Sequence, residues 1–206
     1  MLNGIDIYAG SGPIEWHKVA EAGTAFCFVR GVYGTAADKA AAPNVAAARA
    51  VGMKTGLYHF FRARMDPAAQ TQAMLAAMDA CKIGAGDLPP VLDVEDNPNY
   101  DGPWNNADNP AYIAALRSWV QTMKDRVGRA PIIYTRASFW AQLGNPAGFS
   151  DCTLWVASYR DDAPTMPTGW PSPYQFWQYS ESGTVAGISG HVDMNYFNVS
   201  VQPRHL

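Results

Sequence analysis

Apolar residues along the chain alternate between two rhythms. Short runs of Val, Ile, Leu and aromatic residues at 4–8, 25–32, 54–61, 90–95, 131–135, 154–159, 174–179 and 191–197 predict strands. Between the early runs lie segments with helical character. The clearest covers 110–127, where Tyr112, Leu116, Trp119, Val120, Met123 and Val127 form one stripe, a core face rather than a cofactor site. Asn109 is its expected cap, Pro110 suits its first turn, and Gly128 suits its exit. A helix at 67–81 follows Asp66 as cap, one at 44–51 ends at Gly52, and one at 15–22 ends at Gly23.

Strand and helix alternate about five times, and after Ser150 strands follow with little helix between them. Such alternation predicts a parallel sheet with crossover helices. Eight strands predict closure into an α/β fold of the modified, TIM-like β/α barrel type, with fewer than eight helices and a flattened or irregular C-terminal third. A chain of 206 residues, 48% hydrophobic, can bury one core, and a single domain over 1–206 with no appended module is the simplest division.

Charge narrows the class. Fifteen basic against 18 acidic residues leave a net charge of −3, and no basic run marks a nucleic-acid partner. Cys27, Cys81 and Cys152 are odd in number and far apart, and two lie in apolar runs, which suits reduced core thiols. No CxxC or His-rich cluster suggests a metal, and no phosphate loop or dinucleotide glycine pattern suggests a cofactor. The N-terminus lacks a basic region followed by an apolar stretch, and no apolar run reaches membrane-span length. The expectation is a product made in the cytoplasm without a classical signal peptide.

The candidate chemistry centres on Asp93-Val94-Glu95. Residues two apart on a strand share a face, so both carboxylates should project together, roughly 7 Å apart at their Cα atoms. An apolar strand has no packing reason to present such a pair. One reading gives them a function; the other ties them to Arg30 or Arg62 as a structural ion cluster. In a barrel the carboxyl ends of the strands carry the chemistry. Those ends hold Asp6, then Tyr58 and His59, then Asp93 and Glu95, Tyr134, Tyr159, Gln178 with Tyr179, and Asp193 with Asn195. Asp6 reads equally as an acceptor for backbone donors, and His59 as a packing histidine. Trp155, Phe176 and Trp177 read as core. Carboxylates among aromatic surfaces point to a carbohydrate.

In this setting the chain resembles the family 25 glycoside hydrolases, the Chalaropsis-type lysozymes. GIDIY at 4–8, GLYHFF at 56–61, LDVE at 92–95, APIIYT at 130–135, LWVASY at 154–159, FWQYS at 176–180 and the Gly-x-Val-Asp-x-Asn-x-Phe run ending at Phe197 follow in family order. The resemblance implies a modified β/α barrel and N-acetylmuramidase activity on the peptidoglycan glycan strand, cleaving the β-1,4 bond from N-acetylmuramic acid to N-acetylglucosamine. It implies Glu95 as general acid, with its pKa raised by Asp93. Asp93 in turn would orient the 2-acetamido group so that its carbonyl attacks the anomeric carbon with net retention. An inverting route with Asp6 or Asp193 activating water stays open. These two residues should flank the −1 sugar, with Tyr58, Tyr134, Tyr159 and Gln178 as binding residues.

One departure stands out. Where the family often carries a Lys-Ala-Thr-Glu-Gly-like segment, this chain reads Arg30-Gly31-Val32-Tyr33-Gly34, so Tyr33 replaces an acidic residue beside the groove. Arg30 and Tyr33 therefore count among the substrate-contact candidates. A glycan-binding barrel without turnover, or a hydrolase of another N-acetylhexosamine polymer such as chitin, are the competing readings. The missing signal suits a phage endolysin released by a holin, or an injected effector whose immunity protein would fill the groove. Either would act on the cell wall, periplasmic or extracellular.

Overall fold

The computed structural model describes residues 1–160, 162–170 and 174–201. Strands β1 (Leu2–Ile7), β2 (Thr24–Tyr33), β4 (Lys54–Phe60), β5 (Val91–Asp93), β6 (Ile132–Thr135), β7 (Thr153–Ala157), β8 (Phe176–Gly183) and β9 (Val192–Phe197) pair in a closed circuit. β1 bonds to both β2 and β9, which seals the barrel, and the two-residue β3 (Ala36–Ala37) hangs outside on β2. The eight-stranded barrel expected from the sequence is therefore present.

Six consecutive pairings from β1–β2 to β7–β8 are parallel, but β9 runs antiparallel to both of its neighbours. The all-parallel expectation is corrected there. Residues 184–191 between β8 and β9 are too few for a crossover, and a short link can only return the chain antiparallel.

Among the described residues there are six α-helices: α1 (Trp16–Glu21), α2 (Ala41–Ala50), α3 (Pro67–Ala80), α4 (Pro98–Asp101), α5 (Asn109–Val127) and α6 (Ala137–Gln142). Asp66 caps α3 as expected, its side chain accepting from the Ala69 N–H at 2.6 Å. α2 begins before Pro43 rather than after it, because a proline is tolerated in a helix's first turn. α5 buries Tyr112, Leu116, Trp119, Val120 and Met123 against the barrel and ends at Gly128, whose φ of 70° is left-handed. Asn109 does not cap it. Its Oδ1 accepts from the Trp104 indole at 2.9 Å and its amide donates to Gln142 O at 2.9 Å, tying loop to helix. No helix among the described residues is long and apolar enough to cross a membrane.

Strand alternation separates two cores. Ile5, Ile7, Cys27, Val29, Leu57, Leu92, Val94 and Ile133 face outward under the helices, while Phe26, Phe28, Val91, Ile132, Trp155 and Phe176 fill the barrel. On the side without helices, Leu154, Val156 and Trp177 are covered instead by Trp170, Tyr174, Tyr179 and Tyr196, with Tyr179 stacked on Tyr196 at 4.1 Å. Tyr179 thus belongs to this outer cover and not to the mouth. All three cysteines are free and buried.

The floor of the barrel is aromatic. Phe26 meets Phe28, Phe176 and Phe197 edge-on at 5.8, 5.5 and 6.4 Å. Gly4 makes room for it, since a Cβ there would lie 2.2 Å from the Phe26 ring. The ring is hemmed in by its neighbours and cannot easily swing aside. Gly4→Ala should therefore lower stability by about 1–3 kcal/mol, read as a lower urea unfolding midpoint. A midpoint equal to the parent's would show that the floor has slack.

Candidate active site

Outward-facing Ile5 and Ile7 leave Asp6 pointing into the barrel just below its mouth, buried to 6% exposure. Its Oδ2 accepts from Gln178 Nε2 at 2.9 Å and Asn195 Nδ2 at 2.7 Å, from β8 and β9. The donors are side-chain amides, which corrects the expectation of backbone donors. Gln178 in turn accepts through Oε1 from Tyr134 Oη at 2.8 Å and Tyr159 Oη at 2.9 Å. Asn195 accepts through Oδ1 from Trp155 Nε1 at 2.8 Å. Trp155 was expected to be simple core, yet its N–H begins this network.

Asp6 and Asp193 lie opposite each other on paired strands, so ionising one carboxyl disfavours ionising the other and the two compete for one proton. Burial, followed by the nearby Asp6 charge, pushes Asp193 up to about 8. Asp6 is also raised by burial, although the two amides pull it back.

The second pair is Asp93 and Glu95. β5 ends at Asp93, so Glu95 lies beyond the ladder rather than on the strand as expected. The alternation nevertheless persists. Val94 is buried in the outer core and its N–H bonds to Tyr134 O at 2.9 Å, so Asp93 and Glu95 both face the mouth. Burial, followed by the nearby Glu95 and Asp6 charges, holds Asp93 well above the usual carboxylate range, with Arg30 opposing. Glu95 is raised to about 7, chiefly by burial, with Arg136 pulling it down and Asp96, Asp6 and Glu181 pushing it up. Burial thus outweighs the Asp93 repulsion that the sequence suggested as cause. The Oδ1 of Asp93 is buried without a hydrogen-bond donor from the described residues.

The structural ion cluster is not formed. Arg30 pairs with Asp38 at 2.9 Å and Arg62 with Asp101 at 2.6 Å, so neither is bonded to Asp93 or Glu95. His59 is a satisfied packing residue: Trp119 Nε1 donates to its Nδ1 at 3.0 Å, leaving Nε2–H to donate to Gly34 O at 2.9 Å. Burial lowers its pKa to about 4, so it is neutral.

Two cavities meet at Glu95. One, of about 260 Å³, is lined by Asp6, Arg30, Tyr58, Asp93, Gln178 and Asp193. The other, of about 430 Å³, runs past Arg136, Ser138, Ser158 and Thr165. Glu95, Tyr134, Tyr159 and Glu181 line both, so the cavities form one groove with Glu95 at its waist. Every expected site residue except Tyr33 lines this groove. Tyr33 stands one ring behind, tilted at 35° against Phe60 with centroids 4.9 Å apart. Glu181, Arg136 and Tyr8 line it without having been expected. Among the described residues no group of three His, Cys, Asp or Glu side chains is placed to hold a metal ion.

A closed barrel with raised carboxylic acids lining one groove at its carboxyl mouth is the arrangement of a glycoside hydrolase. The profile of glycosyl hydrolases family 25 matches residues 5–188, and the chain belongs to that family. Lysozyme M1 of Streptomyces globisporus is 34% identical over 97% of this chain and 68% of its own length. The N,O-diacetylmuramidase of Chalaropsis sp. is 27% identical over 93% of this chain and 96% of its own. The solved bacterial lysozyme from Streptomyces coelicolor superposes with a TM-score of 0.83 at 32% identity, covering 96% of this chain and 92% of that one.

The raised acids set the pH dependence of stability. The folded protein keeps protons on Glu95 and Asp193 that the unfolded chain releases near its ordinary carboxylate values, 4.5 and 3.8. Stability should therefore fall as pH climbs from about 4 to about 8, then level off. His59 acts oppositely, costing stability as pH falls from 6.5 towards about 4. Asp193→Asn should flatten the decline between about pH 5 and 8, measured as urea midpoints across pH. An unaltered slope would mean that Asp6 and Asp193 share no proton.

Proposed function

We propose that this barrel is a lysozyme that hydrolyses the β-1,4 bond from N-acetylmuramic acid to N-acetylglucosamine in peptidoglycan. Glu95 is the general acid and Asp93 the partner of the 2-acetamido group. The observation that carries the reading is the Asp93–Glu95 pair, two carboxyls lining one cavity with one buried acceptor atom left open.

The pair titrates as a unit and retains a proton towards neutral pH. An acetamido N–H donating to the open Oδ1 favours the ionised form of Asp93. The shared proton then moves onto Glu95, where the leaving oxygen needs it. As the C1–O bond breaks, Glu95 protonates that oxygen and the acetamido carbonyl oxygen bonds to C1. Asp93 stabilises the positive charge spread over the resulting ring. Water, deprotonated by Glu95, then opens the ring and returns the acetamido group with net retention.

Asp6 and Asp193 are poor bases for an inverting route. Asp6 is buried with its Oδ2 held by two amides, and burial pushes Asp193 up to about 8, so it holds a proton near neutrality. Their role in this reading is to hold Gln178, and through it the Tyr134 and Tyr159 hydroxyls, against the −1 sugar. Arg30 and Tyr58 complete that side of the cavity. In this reading the enzyme acts on the wall side of the membrane; holin-dependent release, or injection with an immunity protein that fills the groove, is the proposed setting.

Digestion of purified peptidoglycan tests the reading directly. Mass spectrometry should find the new reducing ends on N-acetylmuramic acid; ends on N-acetylglucosamine would overturn it. Glu95→Gln should slow release by about a thousandfold with the fold intact by circular dichroism, and Asp93→Asn comparably. Activity should decline as pH rises above about 7, where Glu95 loses its proton. A first-formed product of inverted anomeric configuration would return Asp6 or Asp193 to the role of base.

A further inference from the structure

A file of alternating rings and guanidiniums leaves the groove along the β2–β4 side. The Arg30 guanidinium carbon lies 4.5 Å from the Tyr8 ring centroid and 5.6 Å from that of Tyr33. Arg62 follows, 5.0 Å from Tyr33 and 5.4 Å from Tyr100. The file begins inside the catalytic cavity, which Tyr8 and Arg30 line. It ends at Tyr100, which is 74% exposed.

Each cation is held by a carboxylate. Asp38, its side chain only 1% exposed, pairs with Arg30 and also accepts from the Ala9 and Ala40 N–H groups at 3.0 and 2.9 Å. Asp101 takes Arg62 bidentately at 2.6 and 2.7 Å. The Tyr33 hydroxyl accepts from Asn97 Nδ2 at 2.5 Å, joining β2 to the loop after β5. Four chain segments are thereby locked together.

Two consequences follow from this arrangement. The guanidiniums are already neutralised, so the file is no anion site. What it offers outward is the exposed Tyr100 ring, set edge-on against Tyr33 at 6.1 Å and beside the anchored Arg62 guanidinium. A carboxylate at position 33 would compete for cations that Asp38 and Asp101 already hold, whereas a tyrosine lets both stack on its ring. This gives the family departure at Tyr33 a physical purpose.

We propose that the file forms a distal glycan subsite, with Tyr100 as the platform for the apolar face of an N-acetylhexosamine ring in a long strand. The proposal rests on the lysozyme reading for its choice of polymer. The cavity that holds Asp93 is also lined by Tyr8 and Arg30, the first members of the file, so a strand leaving the cavity on that side would meet the file.

The test uses calorimetric titration in a Glu95→Gln background, with peptide-free peptidoglycan oligosaccharides of two and eight sugars. The eight-sugar strand should bind more tightly than the disaccharide. Adding Tyr100→Ala should cut the eight-sugar affinity about three- to tenfold, while Tyr100→Trp keeps it. The Ala variant should keep the parent's unfolding midpoint, separating a binding role from a structural one. Undiminished eight-sugar affinity in the Ala variant, or an equal loss for both lengths, would overturn the subsite. Loss of the length-dependent gain alongside no reducing-end release by the Glu95 protein would uphold the subsite and sink the lysozyme reading instead.

Discussion

A carboxyl group sealed beneath the mouth of a barrel survives only if its neighbours supply what water would have given. Asp6 is that group, and the arrangement of the site follows from satisfying it. Its two amide donors come from β8 and β9, its proton-sharing partner from β9, and it sits on β1 itself. The same contacts that compensate its burial staple together the antiparallel end of the barrel. The amides are oriented by what they must also accept: Trp155 for Asn195, and Tyr134 with Tyr159 for Gln178. Removing the acid would leave amide donors without acceptors on both β8 and β9.

The site then divides its protons by environment. Both carboxyl pairs are raised by burial, yet their surroundings differ. In the Asp6–Asp193 pair, Asp6 Oδ2 is already engaged by two side-chain amides of the barrel wall. Asp93–Glu95 keeps an empty acceptor position and sits where two cavities meet. One pair suits holding shape and the other suits proton transfer, although both are made of the same functional group.

Much of this was legible in the order of residues. Period-two alternation placed Asp93 with Glu95 on one face, and strand ends collected Asp6, Asp193, Gln178 and Tyr134 at one mouth. Other features lay beyond that signal. α6 is six residues long, too short for a periodic stripe, so Arg136 at its cap went unnoticed. β8 runs past the expected end at 179 through two register shifts, which carry Glu181 into the groove. Asn109 has the composition of a cap, but the Trp104 indole claims its oxygen, a tertiary contact that local pattern cannot reveal.

The seam between β1 and β9 has a consequence for biosynthesis. β1 leaves the ribosome before every other strand of the barrel, but one of its two neighbours is Val192–Phe197, the last strand to follow. Until that late segment emerges, the nascent sheet has an open edge and Asp6 lacks Asn195 and Asp193. Such long-range closure is slow compared with local contacts. The catalytic mouth is accordingly among the last parts of the molecule to mature, and a partly translated barrel is an inactive one.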